Sequence, residues 1–176
     1  MSAPRIVLFG PMGIGKTTAL RTLCGDDLVD CEVANLDTAR HAKATTTVGA
    51  DFGVLRLDGG EELHLYGSPG QARFGFMRHW LLSLALGALV LTDVGQDTSL
   101  DDTEALLREV SEHAPGAVAV VLVARPATVP EIQGFARALA ERLGGAVPVL
   151  AVDVRERAQL IDALALLVAL LPETLE

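Results

Sequence analysis

Apolar residues recur along this chain in two periods. Short continuous apolar runs at 6–9, 88–92, 117–123 and 147–152 predict strands buried on both faces. Two further runs, 51–57 and 61–66, flank Asp58-Gly59-Gly60, whose residues tolerate positive φ, and so predict an antiparallel hairpin. Between these runs, leucines and alanines return at helical spacing over 16–23, 73–86, 100–113, 131–143 and 156–171, with Gly25 marking the end of the first helix. The order β-α-β-β-α-β-α-β-α-β-α predicts an α/β fold: a six-stranded, mostly parallel sheet with one antiparallel edge hairpin and five helices on its two faces. Ligands of such sheets sit at the C-terminal ends of the strands. Residues 26–50 carry neither period and are long for a connection, which marks them as a functional or mobile loop.

Composition narrows the classes. With 176 residues, half of them hydrophobic and 21% charged, the chain predicts a single domain over 1–176 and excludes extended disorder. A formal charge of −9 repels a nucleic-acid backbone, whereas a small anion held by backbone N–H groups stays open. The longest apolar stretch, 80–91, is broken by Ser83 and Gly87 and is too short for a membrane span. The run at 5–9 is too short for a signal-peptide core, Ser2 is not a myristoylation site, and the last five residues hold no prenylatable cysteine. Cys24 and Cys31 lack CxxC spacing and neighbouring histidine, so they read as reduced thiols, with the cytoplasm as default location.

Gly10-Pro11-Met12-Gly13-Ile14-Gly15-Lys16-Thr17 matches the phosphate-loop pattern GxxxxGK[ST] and lies between a predicted strand and a predicted helix. In that context Gly10, Gly13 and Gly15 let the backbone point its N–H groups at a β-phosphate, Lys16 bridges β- and γ-phosphates, and Thr17 ligates Mg²⁺. A plain chain reversal needs neither the lysine nor the threonine.

With these residues in place the chain resembles the bacterial Ras-like small GTPases, in the group related to the gliding-motility GTPase MglA and to Arf-like proteins, over nearly its whole length. The resemblance implies a P-loop NTPase domain that binds GTP or GDP with Mg²⁺. It puts Gly10, Met12, Gly13, Ile14, Gly15, Lys16, Thr17 and Thr18 around the nucleotide. Thr47-Val48-Gly49 resembles the Arf-type Thr-Ile-Gly, which implies Thr47 as a second ligand to Mg²⁺ and a contact to the γ-phosphate, with Thr45 and Thr46 as near alternatives. Gly67-Ser68-Pro69-Gly70-Gln71 is similar to the family's DxxGQ; it implies Gln71 as the residue orienting the attacking water, the N–H of Gly70 on the γ-phosphate, and Lys16 as its catalytic partner. Glycine replaces the motif's aspartate at 67, so metal binding leans on Thr17 and Thr47, with Asp51 a candidate substitute, and hydrolysis is expected to be slow without a partner. Arg73 reads either as a residue near the phosphates or as a solvated helix end.

The base-reading motifs depart further. Where the family has Asn-Lys-x-Asp, this chain has Ala124-Arg125-Pro126-Ala127. Loss of the aspartate is expected to cost about 10- to 150-fold in guanine affinity. Arg125 either lays its planar head along the base or is a surface arginine. Val152-Asp153-Val154-Arg155 falls where the family has Ser-Ala-Lys, so Asp153 and Val154 are candidate base contacts, with helix capping the other reading of Asp153. His41, His64, His79 and His113 are scattered, Asp93 reads as ordering its loop, and Phe74, Phe76, Met77 and Trp80 divide between core and a partner surface. Taken together these features predict a small GTP-binding switch with slow Mg²⁺-dependent hydrolysis and an unknown effector. By analogy a roadblock-domain protein is its regulator. The rivals are a pseudo-GTPase binding module and a P-loop enzyme for another nucleotide.

Overall fold

The computed structural model describes residues 3–29, 32–34, 45–47, 49–71 and 74–172, with the backbone alone at 32–34 and 45–47. Its elements run β1 (Arg5–Phe9), α1 (Lys16–Cys24), a 3-10 turn (Gly25–Asp27), β2 (Leu28–Val29), β3 (Glu32–Ala34), β4 (Thr45–Thr47), β5 (Asp51–Arg56), β6 (Glu62–Gly67), α2 (Gly75–Ser83), β7 (Gly87–Thr92), α3 (Ser99–His113), β8 (Val118–Val123), α4 (Val129–Leu143), β9 (Val149–Ala151) and α5 (Arg157–Ala169).

The main sheet has the order β2-β5-β6-β1-β7-β8-β9. From β6 to β9 neighbours are parallel, and β5 and β2 join antiparallel. The sheet therefore has seven strands where six were expected, and the hairpin partner β5 is flanked by β2, not left at the edge. A separate antiparallel ribbon pairs β3 with β4. The two- and three-residue strands β2, β3 and β4 lie in no longer apolar run of the kind that surrounds β9, which is why residues 26–50 gave no sign of them. The hairpin turns at Leu57–Gly60, where the Gly60 N–H donates to Leu57 O at 2.9 Å and Gly60 alone of the turn takes φ +83°.

Alternation along the central strands splits the core into two layers. Ile6 and Leu8 of β1 face one side with Leu65, Leu89, Leu91 and Leu122, under α1 and α5. Val7 and Phe9 face the other with Val90 and Val121, under α2, α3 and α4. Both faces being covered explains why these strands read as unbroken apolar runs. Helix α4 opens on a capping box: the backbone N–H and hydroxyl of Thr128 donate to Glu131, whose N–H donates back to the Thr128 hydroxyl. Cys24 is buried against Gly53, and burial pushes its thiol up to about 11. Helix α2 is shorter than its apolar pattern: after Ser83 the chain bends so that the Leu86 N–H reaches Arg5 O at 2.8 Å, which leads directly into β7. Phe76 and Trp80 point outward, 70% and 58% exposed, so α2 puts them on the surface and not in the core. Among the described residues no helix is long and apolar enough to cross a membrane.

Candidate functional site

Because β6, β1, β7, β8 and β9 run in one direction, their C-terminal ends bring the loops at 10–15, 68–71, 93–98, 124–128 and 152–156 to one edge of the sheet. The first loop leaves β1 beside β7. Gly10 takes φ +148°, and a Cβ there would lie 2.7 Å from Leu91 O, so the tight exit admits only glycine. Lys16 curls back over its own loop, its Nζ donating to Gly10 O at 2.7 Å and Pro11 O at 3.0 Å, which sets a buried ammonium at the loop's centre. Gly15 begins α1 with no side-chain cap and no acid in the first turn, leaving the helix's N–H groups to an external acceptor. The loop thus sets a buried ammonium beside a helix N-terminus that no side chain caps.

The loop after β6 lies on this one. A Cβ on Gly70 would come within 2.7 Å of Met12 N and 3.1 Å of Lys16 Nζ. The Gln71 amide donates to Met12 Sδ at 3.7 Å. Gly70 and Gln71 are therefore brought to the phosphate loop.

Asp51 settles beside Thr17. The Thr17 hydroxyl donates to Asp51 Oδ2 at 2.6 Å, both side chains being buried. Asp51 stands directly opposite Gly67 across the hairpin, and a Cβ on Gly67 would meet Leu20 Cδ1 at 2.8 Å and Asp51 Oδ2 at 3.5 Å. The carboxylate on β5 thus takes up the ground that a longer side chain at 67 would need. A hydroxyl and a carboxylate, both hard oxygen donors, fit Mg²⁺, which needs few protein ligands when phosphates supply the rest. Ser68 Oγ, next in the loop, is buried without a hydrogen-bond partner among the described residues. This pairing was legible in principle: counting outward from the turn puts 51 opposite 67, and alternation puts Asp51 on the buried face with Leu55.

Beside the phosphate loop a cavity of about 550 Å³ opens between the loops after β8 and β9. Arg125 is among the residues that line it. Its guanidinium donates to Ile14 O, Gly13 O and Ala124 O, each at 2.8 Å, and so ties the β8 loop to the phosphate loop. Thr18, Asp153 and Val154 line the cavity, as do Arg155 and Gln159, which sequence reading had not singled out. Asp153 is held by Arg155, whose Nε and Nη2 reach its two oxygens at 2.9 and 2.6 Å, and this pairing draws its carboxyl down to about 2. Thr22 of α1 donates to Val154 O at 2.7 Å, fixing the β9 loop against the first helix.

Thr47 ends β4, but its side chain, those of Thr45 and Thr46, and residues Cys31, His41, Val48, Ala72 and Arg73 lie outside the described residues. Asp93 accepts from the Gly95 N–H and the Gln96 amide and orders its loop. His79 and His113, expected to be apart, stack at 3.9 Å where α2 meets α3, because each sits on the face its helix turns to the other.

Among curated proteins the chain is 28% identical over 144 residues to the Ras-related protein Rab-26 of Bos taurus, covering 79% of this chain and 51% of that one. It is 27% identical over 145 residues to the Ras-related protein RABA5b of Arabidopsis thaliana, covering 80% and 62%. An uncharacterized protein of Methanocaldococcus jannaschii is 29% identical over 111 residues, covering 63% and 64%. The chain therefore spans under two thirds of the length of each of these relatives. A crystal structure of an Aquifex aeolicus Era variant bound to GDP and aluminium fluoride superposes with a TM-score of 0.75 at 15% identity, over 98% of this chain and 58% of that one. The architecture is the Ras-like P-loop GTPase fold, here with a seven-stranded main sheet and five α-helices among the described residues. The Ras family profile matches residues 5–147, from β1 through the phosphate loop to the approach to β9, and the chain belongs to the Ras family.

Proposed function

We propose that this domain binds a guanine nucleotide with Mg²⁺, hydrolyses GTP slowly, and changes partner affinity as the loop around Gln71 and the segment around Thr47 respond to the γ-phosphate. The observation that carries this reading is the packing of Gly70 on Met12 and Lys16. A group arriving between Lys16 and Gly70 must move the second loop, and α2 with it, which couples nucleotide state to surface.

The chain's own residues divide the work. Lys16 holds the negative phosphates, Thr17 and Asp51 hold the cation, and Gln71 orients the attacking water once it leaves Met12. Mg²⁺, when bound, neutralises charge developing on the phosphates. Phe76 and Trp80 on α2 and Leu84 just after it stand four residues apart, all exposed, and form the face offered to an effector. The motifs at 47–49 and 67–71 support a place in the MglA and Arf-like group, with a roadblock-domain regulator by analogy. The cytoplasm is the location that fits such a switch.

The test is calorimetric titration of nucleotide-free protein with GDP, GTP and ATP in Mg²⁺, followed by measurement of phosphate release. GDP and GTP are expected to bind tightly and in preference to ATP, and Lys16→Ala is expected to abolish binding. Undiminished binding by that variant removes the site assignment. The replacement of Asn and Asp by Ala124 and Ala127, with Gly67, favours a second reading, a pseudo-GTPase binding module. Tight binding with no phosphate release above background selects it.

A further inference from the structure

Resting on the nucleotide-binding reading, we propose that base selection has moved from the loop after β8 to the loop after β9. Asp153 is the carboxylate whose remaining acceptor position takes an N–H of the guanine edge, and Arg155 is the residue that positions it.

Elimination among the residues lining the 550 Å³ cavity leads there. The loop after β8 contributes Ala124, Pro126 and Ala127, which have no side-chain hydrogen-bonding atoms, and Arg125, whose guanidinium is engaged by the carbonyls of Gly13, Ile14 and Ala124. That loop offers the base an apolar wall. The other polar side chains lining the cavity are Thr18, whose hydroxyl both donates and accepts and so does not discriminate, and Asp153, Arg155 and Gln159. Gln159 Oε1 accepts the Asp153 N–H at 2.8 Å, so it braces the backbone that carries the acid.

The acid is built to read donors. Its Oδ1 accepts from the N–H and Nε of Arg155 at 3.0 and 2.9 Å, and Oδ2 accepts from Nη2 at 2.6 Å. A carboxylate has about four acceptor positions, so one on Oδ2 remains. The arginine keeps the group ionised at neutral pH, and an ionised carboxylate only accepts. Guanine presents adjacent N1–H and N2–H donors. Adenine in the same orientation presents an unprotonated N1, whose lone pair would face the carboxylate. The pair thus supplies discrimination that the Ala124 loop lacks.

Asp153→Asn tests this with GDP, xanthosine diphosphate and ADP as probes, each titrated by calorimetry into wild-type and variant protein. Asparagine keeps an Oδ1 for the Arg155 N–H, so the turn into α5 is retained, and a thermal melt checks it. The variant is expected to lose about 10- to 150-fold in GDP affinity and to gain for xanthosine diphosphate, whose C2 oxygen accepts from the new amide, so that the preference between the two inverts. Arg155→Ala is expected to narrow the GDP-over-ADP preference in a protein of unchanged melting temperature; an unmoved preference overturns the positioning role. If Asp153→Asn leaves the ratios of the three nucleotides as in wild type, or weakens all three equally, the assignment of Asp153 is overturned and nucleotide binding stands. If wild-type protein binds none of the three, the nucleotide-binding reading fails and this assignment with it.

Discussion

Asp51 reaches the phosphate loop from the second strand of the main sheet's hairpin half, 34 positions from the threonine it meets. Its carboxylate, not the hydrogen bond alone, is what a cation requires. Asp51→Asn preserves the shape and an acceptor for Thr17 but removes the charge. It is expected to reduce by about tenfold the gain in GDP affinity that Mg²⁺ brings, a figure on the order of one charge-assisted interaction. Titration of GDP with Mg²⁺ and with a chelator, in wild type and variant, measures the difference; an equal gain in both removes Asp51 from the metal site. Restoring an aspartate at position 67 is no substitute, because its Cβ would be driven against Leu20 and a second carboxylate would crowd the first.

At the scale of elements, the site depends on ties between segments distant in sequence. Arg125 binds the β8 loop to the phosphate loop through carbonyls 111 and 112 positions away. Arg125→Ala frees those carbonyls and lets the loop breathe; faster GDP release, by about tenfold, is expected in stopped-flow displacement. An unchanged rate means that the tie does not hold the bound-state loop. These ties mark the boundary of what the sequence discloses. The six expected strands and five helices were legible because each lies in a sustained apolar pattern, three-residue β9 included, since it sits inside the apolar run 147–152, and the phosphate loop because its residues are contiguous. The two-residue β2, the Thr17–Asp51 contact, the hooks of Arg125 and the stacking of His79 on His113 were not, since each depends on register or on packing between elements far apart in the chain. Asp51 comes nearest to an exception: the hairpin turn fixes its cross-strand partner, and the step from there to α1 is one of packing.

Over the whole molecule, a sheet covered on both faces leaves its C-terminal edge as the place where five loops converge, while the acidic surface supplies no general attraction for phosphate. Anion affinity must therefore arise locally, from Lys16 and backbone N–H groups, and it is set against a net charge of −9. Helix α2 turns Phe76 and Trp80 to solvent, and Trp80 is the chain's single tryptophan. Nature has in effect installed an optical reporter on the segment that the nucleotide is proposed to move. Exchange of GDP for a non-hydrolysable GTP analogue is expected to shift or quench its emission with no dye attached, and a spectrum identical in the two states would mean that α2 stays still. Fluorescence from one indole then becomes a clock for the switching cycle, readable in unlabelled protein.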